Sequence, residues 1–173
     1  DDFVLRRIFA KPEFASQMDF VDRSANALMI VEFYGQTESE VRAKLDALQS
    51  KLERDRTGFG YLRVTDPPRQ ANIWNTRKQA LGLLMSVAGD TKPIAFVEDP
   101  AVPIEHMPAF LRGFQEILEH HHAHGGYYGH ASVGCLHVRP MIDLKQASEV
   151  AKMGKILDEV AALVGEYGGS MSG

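Results

Sequence analysis

The sequence predicts an α+β fold, an antiparallel sheet with helices laid on one face. Strand and helix signals alternate as βαβα-βαβα after an N-terminal lead-in, and such alternation by itself suits a parallel doubly wound sheet. Two observations turn the reading away from that. No Gly-rich phosphate loop follows a strand signal, and the strands are few and half-polar (Arg63 and Thr65 in one, Glu98 in another), as in a sheet covered on one side.

Each element has its own local reason. Residues 27–35 are apolar and β-rich and close on Gly35, which reads as a strand. Thr37 with Glu40 forms a capping box, and Val41, Leu45, Leu48 and Leu52 follow at helical spacing to about Asp55. Residues 61–66 read as a second strand. Pro67 and Pro68 suit the entry of a helix that carries Trp74, Leu81, Leu84 and Met85 to about Val87. A third strand spans 93–99, ended by Pro100 and Pro103. From about Ile104 a helix sets Met107, Phe110, Leu111, Phe114, Ile117 and Leu118 on one face. Residues 127–142 form a fourth β region. A last helix buries Val150, Met153, Ile156, Leu157, Val160 and Val164.

The totals narrow the class. At 173 residues the chain can build one sizeable core or two small lobes that share one. A formal charge of −4 offers no electrostatic footprint for nucleic acid. No apolar run approaches the roughly 20 residues that cross a bilayer. Cys135 is the only cysteine, so no internal disulfide forms and a reducing, cytoplasmic setting is expected. The chain opens on Asp1 and Asp2 without a methionine and closes on the Gly-rich residues 168–173, which reads as a piece of a longer protein.

Several residues invite chemistry. His130 and His137 stand seven apart in a β segment, an odd spacing that sends side chains of a regular strand to opposite faces. Gly134 between them permits a bulge or turn that brings both to one side. The pair alone is a weak metal signal, since a catalytic ion wants three protein ligands. Arg139, two residues on, carries a fork suited to carboxylates; a solvated strand arginine is its plain alternative. Arg77, behind Trp74, and Lys92 are single cations that make an anion clamp with Arg139 only if the fold gathers them. His120 and His124 share a helical face and can chelate an ion, although imidazoles at a helix C-terminus already suit the dipole. Cys135 has no CxxC partner and reads as a half-buried small side chain.

Taken together these motifs form a recognisable order. Trp74-x-x-Arg77 and Lys92 precede the run Val97-Glu98-Asp99-Pro100-Ala101-Val102-Pro103. Gly129-His130, Gly134-x-Leu136-His137 and Gly169-Ser170-Met171-Ser172-Gly173 follow. From about residue 27 to the end the chain resembles the C-terminal domain of FAD-linked oxidases, the group of glycolate oxidase subunits, D-lactate dehydrogenases and D-2-hydroxyglutarate dehydrogenases. The wording of residues 129–140 is most similar to long members that also carry an iron–sulfur region.

The resemblance implies a division into a lead-in, 1–26, and a ferredoxin-like cap domain, 27–173. It implies that His130 and His137 are two ligands of a divalent metal, zinc the first choice, and that Arg77 and Lys92 hold the substrate carboxylate. Arg139 falls where relatives commonly place an asparagine facing the substrate, so a longer, charged substrate contact is implied there. It further implies FAD bound by a flavin domain absent from this chain, iron–sulfur clusters elsewhere in the parent polypeptide, and no catalytic residue within 1–173. Relatives continue past Gly-Ser-x-Ser-Gly with Glu-His-Gly, which supplies a third metal ligand and a base. On that basis the chain alone is expected to be inactive, to bind zinc weakly and to leave residues 168–173 poorly ordered. The implied reaction is oxidation of a D-2-hydroxy acid by hydride transfer to FAD, with the electron acceptor as the one route to a membrane-peripheral location. Relatives often have Gly-Asp-Gly-Asn-Leu-His where this chain has Ser132-Val133-Gly134-Cys135-Leu136-His137, and hydroxyglutarate enzymes often have threonine at the position of Leu81. D-lactate, D-2-hydroxyglutarate and glycolate therefore all stay open. The alternative is a non-catalytic ferredoxin-like module that binds a small anion or dimerises; a histidine-rich carrier built on residues 120–124 is a third reading.

Overall fold

The computed structural model describes residues 1–12 and 18–172, with every side chain in them except those of Leu81 and Leu83. In chain order the elements are α1 (Asp2–Phe9), α2 (Glu38–Arg54), α3 (Pro67–Met85), β1 (Thr91–Pro93), α4 (Met107–His120), β2 (Gly125–His130), β3 (Cys135–Asp143) and α5 (Ala147–Glu166). The chain divides into two compact units, Asp1–Ile8 with Ala80–Gly173, and Phe9–Gln79.

The first unit contains the sheet, antiparallel throughout, in the order β1-β3-β2. Along β3 Leu136, Val138 and Pro140 are buried while Cys135, His137 and Arg139 are half-buried, so the strand presents one apolar and one polar face. Against the apolar face α4 sets Phe110, Phe114 and Leu118, and α5 sets Ile156, Val160 and Val164. Both trios repeat at helical spacing, which is why the sequence forms these helices and this core. Each such side chain contributes about 1.5–3 kcal/mol through burial. At the opposite face α1 approaches β2: a Cβ on Gly126 would lie 2.9 Å from Phe3 and 3.2 Å from Val4.

In the second unit Thr37 caps α2 as predicted, while the Glu40 carboxylate reaches the Gln36 N–H rather than that of Thr37. The Glu40 N–H donates to Thr37 Oγ1 at 3.2 Å, and Glu40 Oε2 accepts from the Gln36 N–H at 2.9 Å. None of the residues of α2 is fully buried. Arg63 Nε donates to Gln49 Oε1 at 2.7 Å, and Arg63 also pairs with Asp46, tying the 61–66 stretch to this helix.

The α+β class and the antiparallel sheet stand, but the βαβα-βαβα order is not reproduced in detail. Residues 27–35 and 61–66 run without regular secondary structure, and Met29 is 72% exposed. Their composition favours strands, yet a strand exists only where a partner takes its backbone groups, and none of the described residues does so in a ladder. The third expected strand, 93–99, is displaced: β1 covers Thr91–Pro93, and residues 94–99 form no strand, although Ile94 N–H reaches Pro140 O at 2.9 Å. The β region expected over 127–142 folds as a hairpin, with its bend at residues 131–134. Val150 is exposed and Met153 and Leu157 are partly buried, so α5 buries a narrower stripe than expected. Of the C-terminal residues 168–173, Ser170 exchanges backbone hydrogen bonds with Ala101 at 2.8 and 2.9 Å, and Gly173 lies outside the described residues.

Candidate functional site

The β2–β3 hairpin builds the site. His130 pairs with Cys135, and Tyr128 with His137. Between the strands the chain makes a 3-10 turn over Ala131–Val133, then passes through Gly134 at φ +69°. That left-handed conformation favours glycine, and a Cβ there would lie 1.9 Å from the Val102 carbonyl oxygen. The reversal also settles the odd spacing of the histidines. His137 lies opposite Tyr128, two residues from His130, so all three share one face as diagonal neighbours. The His130 and His137 ring centroids are 5.3 Å apart with planes at 84°, and Tyr128 lies 4.9 Å from His137.

Two consecutive carboxylates meet this row. Asp99 Oδ1 lies 2.7 Å from His137 Nδ1, and Glu98 Oε1 accepts from Arg139 Nη1 at 3.2 Å. Arg139 Nε also donates to the Tyr128 hydroxyl at 3.2 Å. Asp99 adopts φ +47° immediately before Pro100, a sparsely populated conformation for a residue with a side chain. Backbone bonds hold it there: Leu136 N–H donates to Pro100 O at 3.0 Å, and Val102 N–H to Gly134 O at 3.1 Å. Ser172 Oγ donates to Asp99 Oδ2 at 3.2 Å.

The other candidates are placed differently. Lys92 pairs with Ile142, which puts it on the face opposite Arg139, and its Nζ donates to the Val87 carbonyl. The sheet therefore does not gather Lys92 and Arg139. Arg77 belongs to the second unit, where its guanidinium lies 5.5 Å from the Trp74 ring and Trp74 Nε1 donates to Glu32 Oε1 at 2.9 Å. The chelating pair at His120 and His124 does not form. Helix α4 ends at His120; His121 pairs with Glu159 at 2.8 Å, and His124 stacks edge-on against Phe3 at 5.8 Å.

Among the described residues, the donor atoms of Asp99, Cys135 and His137 lie within 4.8 Å of one another. Imidazole, carboxylate and thiol are the donor types that borderline divalent ions take, so the chemistry of this patch fits such an ion. Burial, and after it the Asp99 charge, pushes the Cys135 thiol up. Sequence reasoning missed Glu98, Asp99 and Tyr128 as members of the site. The Glu98-Asp99-Pro100 run drew notice, but its pairing with β3 spans about forty residues and leaves no local signature.

Comparison with known proteins follows the same line. The family of FAD linked oxidases, C-terminal domain, matches residues 3–173. Over 157 residues the chain is 37% identical to a D-2-hydroxyglutarate dehydrogenase of Pantoea ananatis, a match covering 88% of this chain and 15% of that protein. Proteins of the same name from Haemophilus influenzae and Escherichia coli are 38% and 34% identical over 151 and 160 residues. Those matches cover 84% and 90% of this chain, and 15% and 16% of the relatives, so the chain spans a small part of their length.

Proposed function

The chain belongs to the family of FAD linked oxidase C-terminal domains, and from that premise we propose that it is the substrate-side part of a flavin-dependent dehydrogenase of D-2-hydroxy acids. D-2-hydroxyglutarate is the first candidate substrate, after the name shared by the similar proteins. The observation that carries the reading is the polar row on the hairpin: His130, His137 and Arg139 on one face, met by Asp99 and Glu98.

In this reading His130 and His137 hold a divalent cation, zinc the first choice, with a further ligand from outside the described residues. Such a cation lowers the pKa of a substrate hydroxyl. Arg139 offers its fork to a substrate carboxylate, and Glu98 is the competitor that the anion must displace. Binding of that kind orients C2 of the acid toward the flavin and contributes positioning rather than bond-making. Arg77 and Lys92 join the clamp only if they are brought to the same anion. FAD belongs to a flavin domain of the same polypeptide.

The test is a turnover assay of the polypeptide that joins this chain to its flavin domain. A panel of D-2-hydroxyglutarate, D-lactate and glycolate, with and without chelator, selects the substrate. Changing His137→Ala is expected to lower kcat at least about a hundredfold, as loss of an interaction to the reacting group does. Undiminished turnover in that variant overturns the proposal and leaves a non-catalytic anion-binding module as the reading.

A further inference from the structure

Beside His137 stand two donors that the metal reading above leaves idle. Cys135 and His137 are two apart on β3, so both side chains leave the same face of the strand. Asp99 reaches them from a separate segment. Ala101 bridges Cys135, and Leu136 N–H donates to Pro100 O at 3.0 Å, which lays residues 99–101 along the start of β3. The donor atoms of Asp99, Cys135 and His137 thereby come within 4.8 Å of one another, the one such set of three among the described residues.

Asp99 Oδ1 and His137 Nδ1 meet at an ion-pair distance of 2.7 Å and not as an aligned hydrogen bond, so neither atom is committed to a directional partner. Around one tetrahedral ion a nitrogen and an oxygen stand roughly 3.3 Å apart and a sulfur about 3.6 Å from either, so side-chain shifts of about 1 Å bring the three atoms to those spacings.

We propose that Asp99, Cys135 and His137 are three ligands of one zinc-like divalent cation, with one position left for His130 or a substrate oxygen. The proposal rests on the metal reading above through His137, and it replaces the ligand from outside by two of this chain's own. His130 stands 5.3 Å from His137, ring to ring.

The chemistry of the set favours such an ion. Thiolate, carboxylate and neutral imidazole carry two negative charges in all, which a divalent cation cancels, whereas a pair of imidazoles cancels none. Cys135 binds as the thiolate, its proton passing to solvent. Sulfur selects zinc, cobalt(II) and similar ions over magnesium and calcium, which take oxygen ligands. The Asp99 side chain is 45% exposed and that of His137 19%, so the ion has a path in from solvent.

The experiment titrates the metal-free 173-residue chain with cobalt(II), whose bond to a thiolate gives a charge-transfer band in the near ultraviolet. The parent chain is expected to show that band, zinc to remove it by displacement, and magnesium to leave it unchanged. Cys135→Ser is expected to abolish it. Asp99→Asn tolerates the left-handed backbone at that position. That variant and His137→Ala are each expected to weaken cobalt binding at least about tenfold, the lower end of what losing a mere supporting group costs. Amide 1H–15N spectra of the metal-free variants check that each is folded, and the band of the parent chain decides without any variant. Cobalt bound without the band overturns the proposal. Affinity lost in His130→Ala and His137→Ala but kept in Asp99→Asn and Cys135→Ser also overturns it and returns the ion to the two imidazoles. A parent chain that binds neither cobalt nor zinc overturns it as well, while turnover of the joined polypeptide with and without chelator still decides the metal reading above.

Discussion

Tyr127 stands beside the site's row but on the other face of β2, edge-on to Phe114 at 6.1 Å. Burial first, and the Glu119 charge second, push its phenol up to about 12 from an ordinary 10.0. The raised value means that the native state keeps its proton where the unfolded chain loses it. The stability tied to this group is therefore whole below about pH 10 and is lost as pH rises toward 12. Urea midpoints are expected to fall across that window, and Tyr127→Phe should remove this part of the fall. A fall of equal size in the variant would assign the alkaline loss to other groups. The same scale explains Glu98 and Asp99: neighbours in sequence, they reach two alternate residues of β3 because the backbone turns left-handed at Asp99.

At the scale of elements the hairpin is decisive. Two strands of fixed register bring a histidine from each to one face, and Gly134 is the joint that permits the connection. Gly134→Ala combines positive φ with a backbone clash against Val102, so a loss of at least about 3 kcal/mol is expected in chemical denaturation. The ring contact between His130 and His137 should vanish with it, read as loss of their proton–proton NOEs. A variant of native stability with that contact intact would mean that the turn tolerates a side chain. Helix α2 was legible in the sequence because its signals are local: the Thr37 cap, the Glu40 box and the spacing of Val41 to Leu52 all lie within one element. Ladders are different. Residues 27–35 and 61–66 have strand composition and no ladder among the described residues, since β propensity describes fitness for a pleated surface rather than the presence of one.

Taken as a whole molecule, the two units differ in what protects them. The first has a core of Val97, Phe110, Phe114, Leu136, Val138, Ile156 and Val160 under its sheet, whereas α2 in the second has no fully buried residue. Opening free energies follow such differences. Amides of β3 are expected to exchange with solvent about a hundredfold or more slowly than those of residues 28–34 and 61–65, as hydrogen–deuterium exchange measures. Comparable protection in both would show that the two extended stretches find a ladder in solution. No helix among the described residues is long and apolar enough to cross a membrane.

Apart from α1, unread in the lead-in, the amino-acid sequence by itself determined helices α2 to α5 and the α+β class, because periodicity and caps act over a few residues. It marked Gly134 as a point where the chain could bend. It also carried the family, through an ordered set of motifs that the match over residues 3–173 supports. Only the tertiary structure decided that Asp99 and Glu98 attend His137 and Arg139, that Lys92 lies on the other face of the sheet, and that two β-rich stretches stay unpaired. The physical reason is common to all three: ladder register joins residues far apart in the chain, and no local pattern encodes which strand, if any, will satisfy a given backbone.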